Sequence, residues 1–281
     1  MDNAGFSLLP PEWHAEIPST SLRLRELLAS RPKLPSGYAI ASPRQTRGSG
    51  RFGNSWLSSE GGDLALSFLL RGKTDPAKLV SLPMACALAV KDLLGGFGLA
   101  AKVKWPNDVM VDNGKIAGIL TQCPALPENG VPETAAIVGI GINVNMDQSR
   151  AASLNRPVAS LFMLTGSVKM VDDVYSLLAP LLEKRIGEWQ KGSFAAIRED
   201  WLKNCLGVGE KIFVHNGTER LEGTVSGFGE NGEALFTPVG GIEIAMGGFA
   251  VIEFPANFSE FPPFRDPAIP GKTDSPVLRR H

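Results

Sequence analysis

Histidine, cysteine and tyrosine are scarce in this chain of 281 residues, at three, three and two. His14, His215 and His281 stand far apart, which argues against a histidine metal cluster, and no G-x-S-x-G run offers a serine nucleophile on a sharp turn. His215, beside Asn216-Gly217, reads as a turn residue. Cys86, Cys123 and Cys205 are odd in number and lack C-x-x-C spacing, so a disulfide frame and a zinc site are both disfavoured and buried apolar positions in a reducing compartment are expected. Net charge is also small: 28 Lys and Arg against 29 Asp and Glu leave −1, too little for a global positive field that would favour nucleic acid. Cationic chemistry must therefore be local. No basic start precedes an apolar run, and no segment is expected to reach bilayer-spanning length, which points to a cytoplasmic protein without a membrane partner. No internal repeat is found.

What is present is a succession of helical and strand patterns long enough for one large core plus a small module. Ser19-Thr20-Ser21 caps a helix running to about Ser30. Tyr38–Ser42 and Leu64–Leu70 read as strands either side of a Gly/Arg loop. Asp75-Pro76 opens a mostly apolar helix through Leu94, closed by Gly95-Gly96, with a kink expected at Pro83. Ala101–Trp105, Asp108–Val111 and Lys115–Thr121 read as strands, the last two joined at Asp112-Asn113-Gly114, where Asn-Gly tolerates positive φ. Ala136–Asn145 reads as a buried strand whose glycines permit close backbone approach. Val171–Gln190 and Phe194–Lys203 form an amphipathic helix pair with Gly192 between them. Beyond Leu206, short strands alternate with Asn-Gly and Gly-Gly turns, the pattern of a small β-barrel or sandwich. From Pro255 onward, Pro262, Pro263, Pro267, Pro270 and Pro276 predict an extended or disordered tail.

Two stretches carry chemistry. Lys104-Trp105-Pro106-Asn107-Asp108, followed by Lys115-Ile116-Ala117-Gly118-Ile119-Leu120, sets two lysines beside a Trp-Pro corner; a fixed cation stabilises developing negative charge best, because its scaffold need not reorganise. Gln45–Trp56 contains Gly48, Gly50 and Gly53 in G-x-G-x-x-G spacing. A strand follows rather than a helix, which disfavours a dinucleotide fold, yet glycine N–H groups with Arg47 and Arg51 still suit an anion, as a solvated surface loop would also explain them. Gly72-Lys73-Thr74 and Gly271-Lys272-Thr273 imitate the end of a phosphate-binding loop, but Ser67 and Asp266 replace its earlier glycine.

In combination, Ser19-Thr20, Gln45–Trp56, Ser58 with Gly61-Gly62, Ser67, Lys104–Asp108, Lys115–Leu120, Gly139–Asn143 and Met246-Gly247-Gly248 resemble the catalytic and C-terminal parts of biotin protein ligases over roughly Trp13–Phe254. The resemblance implies an α+β fold: a mixed-sheet catalytic domain over 1–204 related to lipoate ligases and class II aminoacyl-tRNA synthetases, an SH3-like barrel over 205–254, and the tail over 255–281. Only a short leader precedes Ser19, which implies the non-repressor form without a DNA partner; a homodimer is the oligomeric option. The implied reaction joins biotin to ATP as biotinyl-5'-AMP, then transfers the acyl group to a lysine of a biotin carboxyl carrier protein, with Mg2+ carried by ATP oxygens rather than by protein ligands.

By that resemblance Lys104 and Arg51 are the catalytic cations. Ser19, Thr20, Gln45, Gly48, Arg51 and Gly118 contact biotin, while Trp56, Lys104, Asn107, Lys115 and Asn143 contact ATP. Structural readings stand beside these: Trp56 and Trp105 as core aromatics, Asp108 as a turn cap and Asn143 as a partner for backbone groups. The chain departs from the family pattern at Ser49, where relatives commonly carry arginine, at Ser21, where asparagine often stands, and at Gln122, where glutamate is usual. Arg47 is the expected substitute for the charge lost at Ser49. A lipoate or other carboxylate ligase, and a binder without turnover, are the alternatives.

Overall fold

Alternation of side chains along its strands divides the larger sheet of this protein into an apolar face and a face of small residues. The computed structural model describes residues 5–56, 58, 59, 62–124, 134–154, 156–216, 219–248, 250–255 and 258. In chain order the elements are β1 (Glu12–Trp13), α1 (Thr20–Ser30), β2 (Ala39–Ser42), β3 (Gly48–Ser49), β4 (Ser55–Trp56), β5 (Leu64–Gly72), α2 (Leu82–Gly96), β6 (Lys102–Lys104), β7 (Asp108–Val111), β8 (Gly114–Gln122), β9 (Thr134–Ile142), α3 (Gln148–Ala152), α4 (Leu161–Thr165), α5 (Val171–Gly192), α6 (Phe194–Asn204), β10 (Lys211–Asn216), β11 (Glu219–Phe228), β12 (Ala234–Pro238), β13 (Ile244–Met246) and β14 (Val251–Glu253).

The larger sheet runs β1-β2-β5-β9-β8-β7-β6, with β1 and β2 parallel and the other neighbours antiparallel, so the fold is mixed α+β. At its centre β5 and β9 pair from Leu64 opposite Ile142 to Gly72 opposite Thr134. Leu64, Leu66, Phe68 and Leu70 of β5 and Ala136, Val138, Ile140 and Ile142 of β9 join one cluster with α2, α5 and α6. Each such side chain contributes roughly 1.5–3 kcal/mol on burial. On the opposite face Leu24, Leu27 and Leu28 of α1 cover Leu69, Ala135 and Ile137. Past the end of that helix the same strand face carries Ser67, Gly139 and Gly141, and the layer stays open for a site.

Helix α2 is buried along most of its length between the sheet and α5 and α6. Contrary to the sequence expectation, residues 76–96 are long and apolar enough to cross a bilayer, at 21 residues and mean hydropathy 1.5, but 67% of the window is buried within the protein. A helix covered on both sides reads as apolar all round. The expected kink at Pro83 is also corrected. Residues 76–81 form a 3-10 turn, and a new helix begins at Leu82 with Pro83 in its first turn, where a missing N–H costs nothing. Buried Arg185 ties this layer together, with ion pairs of 2.7 Å to Asp92 of α2, 2.9 Å to Glu188 and 2.7 Å to Asp200 of α6.

Two turns differ from expectation in which residue bends. Between β7 and β8 the positive φ angles belong to Asp112 (46°) and Asn113 (64°), and Gly114 already starts the returning strand. Gly114 is needed for space, since a Cβ there would meet the Ala159 Cβ at 2.9 Å. Between α5 and α6 the left-handed residue is Ser193 (φ 54°), and Gly192 ends the first helix. Cys123 is exposed, unlike buried Cys86 and Cys205, because it follows the end of β8.

The smaller sheet runs β13-β12-β11-β10-β14, all antiparallel. Ile212, Val214, Val225, Phe228 and Phe236 continue the main apolar cluster into it, so the two sheets share one core. The Trp105 indole Nε1 donates to the Gly232 carbonyl at 2.9 Å and fixes the Lys104–Asp108 corner to this second sheet. Apart from Pro255 and Phe258, the Pro-rich tail lies outside the described residues.

Candidate active site

A cleft of about 690 Å³ opens on the small-residue face and extends to the edge of the second sheet. At one end is a hydroxyl and amide network. Gln45 Oε1 accepts from the Thr20 backbone N–H at 2.8 Å and the Thr20 hydroxyl at 3.1 Å. The Ser67 hydroxyl lies 2.7 Å from that of Thr20 and 2.8 Å from that of Ser21. Ser19 caps α1, accepting from Leu22 N–H at 3.3 Å, and so fixes the helix start that presents these groups. With its oxygen engaged, the Gln45 amide has its N–H groups left to offer, the complement of a neutral polar acceptor.

At the other end are cations. Lys104 ends β6 in partial burial, its Nζ 5.0 Å from the centre of the Phe254 ring. Burial pulls its pKa below the ordinary lysine value; nearby Lys115 adds to this, while Asp108 and Glu253 oppose it. Lys115 on β8 pairs with Asp108 on β7 at 2.5 Å. Arg51 lies in a short 3-10 turn between β3 and β4, where Phe52 takes a left-handed φ of 56°. Its Nη1 donates to Asn107 Oδ1 at 2.8 Å, and its Nη2 donates to the Gly248 carbonyl and, at 3.3 Å, to the Ala250 carbonyl. Burial lowers this guanidinium's pKa, with Asp108 opposing. Asn107 is itself held by its Nδ2 donating to the Ile119 carbonyl at 2.7 Å.

Trp56 joins the two ends. A Cβ on Gly141 would meet its ring at 2.4 Å and one on Gly118 at 3.3 Å, so the indole lies on a floor that only glycine can form. Its Nε1 is buried without a partner, a polar atom facing an incomplete environment.

A polar recess for a neutral group, a row of cations and an aromatic surface between them describe a site for an acid and a nucleotide. The model of the Biotin/lipoate A/B protein ligase family matches residues 14–143. The biotin--[acetyl-CoA-carboxylase] ligase of Paracoccus denitrificans is 30% identical over 224 residues, 78% of this chain and 92% of that protein. This chain belongs to the biotin protein ligase family. The bifunctional ligase/repressor BirA of Escherichia coli is 26% identical over 88% of this chain and 74% of its own length. Among solved structures, the biotin protein ligase of Aquifex aeolicus in complex with biotin and ATP matches with a TM-score of 0.70 and 28% identity, over 89% of this chain and 99% of that one.

Within this biotin protein ligase fold, Ser19, Thr20, Gln45, Arg51, Trp56, Lys104, Asn107, Lys115 and Gly118 all line the one cleft. Gly48 and Asn143 do not. Gly48 packs against Gln45 and Trp56, with no room for a Cβ: the Trp56 carbonyl would lie 2.6 Å away. Asn143 Nδ2 donates to the carbonyls of Lys115 at 3.1 Å and Ala159 at 2.9 Å, so it secures the loop beside β8. Its neighbours Trp56, Lys115 and Arg156 place it beneath the cleft, against a smaller recess.

Several lining residues carried no sequence signal as site residues, among them Arg156, His215, Glu253 and Phe254. Arg156 is exposed and lines the cleft together with Ser49, whereas Arg47 is exposed outside the lining. Glu253 and His215 come from the second sheet, and Phe254 directly follows its last strand. The reading of His215 as a turn residue is corrected: it lies within β10, opposite Val251 of β14 and bonded to Glu253. No local pattern announces such residues, because only the packing of the two sheets brings them to the cleft. Among the described residues no group of three or more His, Cys, Asp or Glu is placed to hold a metal ion. The two carboxylates lining the cleft are paired with cations, Asp108 with Lys115 and Glu253 with Arg220.

Proposed function

We propose that this protein is an ATP-dependent biotin ligase that makes biotinyl-5'-AMP and transfers the biotinyl group to a lysine of a biotin carboxyl carrier protein. The observation that carries the reading is the meeting, in one cleft, of the Thr20–Gln45–Ser67 network and the Lys104, Arg51 and Lys115 cations on a glycine floor. Its support from outside the chain is the Aquifex aeolicus relative, whose structure holds biotin and ATP.

The biotin ureido ring sits against Thr20 and Gln45, which offer hydroxyl and amide groups in a buried recess. Its carboxylate then points along the cleft toward Lys104. Two anions, carboxylate and α-phosphate, must approach in line, and their repulsion is the barrier that fixed cations reduce. Lys104 bridges them and carries the charge that develops on the phosphoryl oxygens; Arg51 and Lys115 flank it, with Asn107 holding Arg51 in place. The carboxylate oxygen forms a bond to the α-phosphorus and pyrophosphate leaves. Trp56 gives the nucleotide base a stacking face. Mg2+ travels with ATP. In the second step the carrier lysine forms a bond to the acyl carbon and AMP leaves. We read residues 205–254 as an SH3-like module whose edge closes the nucleotide end, the larger sheet as kin to class II aminoacyl-tRNA synthetases, and the protein as cytoplasmic.

Incubation with labelled pyrophosphate, ATP and biotin or lipoate, followed by addition of a carrier domain, tests the reading. Biotin-dependent exchange and a labelled carrier are expected. Exchange with lipoate alone would move the protein to the other branch of its family, and no exchange with either acid would end the proposal.

A further inference from the structure

The second sheet brings to the cleft a proton-accepting side chain that adenylation leaves unused. His215 Nε2 hydrogen-bonds Glu253 Oε2, and Glu253 also accepts from Arg220 Nη2 at 2.9 Å. Arg220 is held in turn over the Phe213 ring, 3.5 Å from its centre. Hydrogen bonds from Arg220 and His215 hold the Glu253 carboxyl down to about 2, so it is ionised near neutral pH. An ionised carboxylate only accepts, so Nε2 donates in this contact, and in the neutral form of the ring Nδ1 is the acceptor atom. His215 and Glu253 both line the cleft, and the charged groups around the ring are Glu253 on β14, Arg220 on β11 and, within electrostatic reach of Glu253, Lys104.

This arrangement meets a need created by the proposed ligase reaction, on which the inference rests. The acceptor lysine arrives as an ammonium ion, with an ordinary pKa of about 10.4, and an ammonium has no lone pair for attack. It must also enter a cleft lined by Lys104, Lys115, Arg51 and Arg156. Asp108 is already paired with Lys115 at 2.5 Å and Glu253 with Arg220 at 2.9 Å, which leaves the His215 ring on the second-sheet wall as a lining group able to take up a proton. We infer that His215 is the proton acceptor for the carrier lysine in the transfer step, and that Glu253 is its positioning residue. The ammonium gives one proton to Nδ1, forming an imidazolium paired with Glu253. The freed amine forms a C–N bond to the biotinyl carbon, the bond from that carbon to the phosphate oxygen breaks, AMP leaves with its electron pair, and the second amine proton passes to solvent.

The two half-reactions are measured separately in the full chain. His215→Gln is expected to keep biotin-dependent pyrophosphate exchange within about twofold while slowing single-turnover transfer from preformed biotinyl-5'-AMP to a carrier domain by on the order of 10²–10⁴-fold. That loss should shrink as pH rises toward the lysine's own pKa. Hydroxylamine, unprotonated at neutral pH, should discharge the adenylate at the rate of the unaltered protein. Glu253→Gln should give the same pattern with a smaller loss. Unchanged transfer in His215→Gln, or equal loss toward carrier and hydroxylamine, would overturn the assignment and leave the ligase reading intact. Failure of exchange in the unaltered protein would remove the ligase reading itself.

Discussion

The two faces of β8 and β9 do different work with the same backbone. Toward α2, Ala117, Ile119, Val138, Ile140 and Ile142 fill a dry core; toward the cleft, Gly118, Gly139 and Gly141 leave room for Trp56 and Ser21. One face is defined by volume and the other by its absence. Substitutions on the first should therefore act on stability, and those on the second on chemistry, with little exchange between them.

The sharpest break of that comparison is on the core side. Phe68→Ala is expected to cost about 3–5 kcal/mol in urea unfolding, with the folded fraction keeping its biotin KM. A change in KM without a stability loss would merge the two faces. On the cleft side, Lys104→Ala should lower pyrophosphate exchange by about 10²–10³-fold with an unchanged urea midpoint; near-normal exchange would remove Lys104 from the mechanism. Gly141→Ala forces the indole off its floor, and up to about 10²-fold in kcat/KM for ATP is expected from displacement on the ångström scale. Stability lost in place of activity there would show that the floor is ordinary core.

Titration supplies a smaller effect. Because burial lowers the pKa of Lys104, rising pH removes its charge earlier than for a free lysine, and exchange should fall on an alkaline limb below 10.5. Lys104→Arg, which stays charged, should lose that limb whatever its absolute rate. The smallest contrast is at the mouth. Arg156→Ala should speed loss of the bound adenylate in a retention assay, whereas Arg47→Ala, at an exposed position outside the cleft, should match the unaltered protein.

How much was legible follows the same division. The Ile-Val-Gly-Ile-Gly-Ile run announces a strand with one apolar face and one bare face, and helix α1 is readable from Ser19 and the spacing of Leu24, Leu27 and Leu28. The Lys104–Asp108 corner is legible because rigid local chemistry marks it, whereas Gln45 is legible only through the resemblance to the family. Pro83 and Gly192 misled because a breaker residue identifies a boundary region without saying which neighbour bends. His215, Glu253, Phe254 and Arg156 were not legible as site residues. Their signal is long-range: β10 and β14 reach the cleft only after the second sheet has docked on Trp105, and Arg156 reaches it on a segment whose Val158 bridges to Lys115.

That docking makes the aim of Lys104 depend on a carbonyl 127 residues away from the neighbouring tryptophan. Gly232 holds its place at a φ of 91°, against Met84 of the core helix. Helix, corner and second sheet thus meet as a keystone, and a chain shortened before Gly232 would bare an indole and slacken the arch that steadies Lys104.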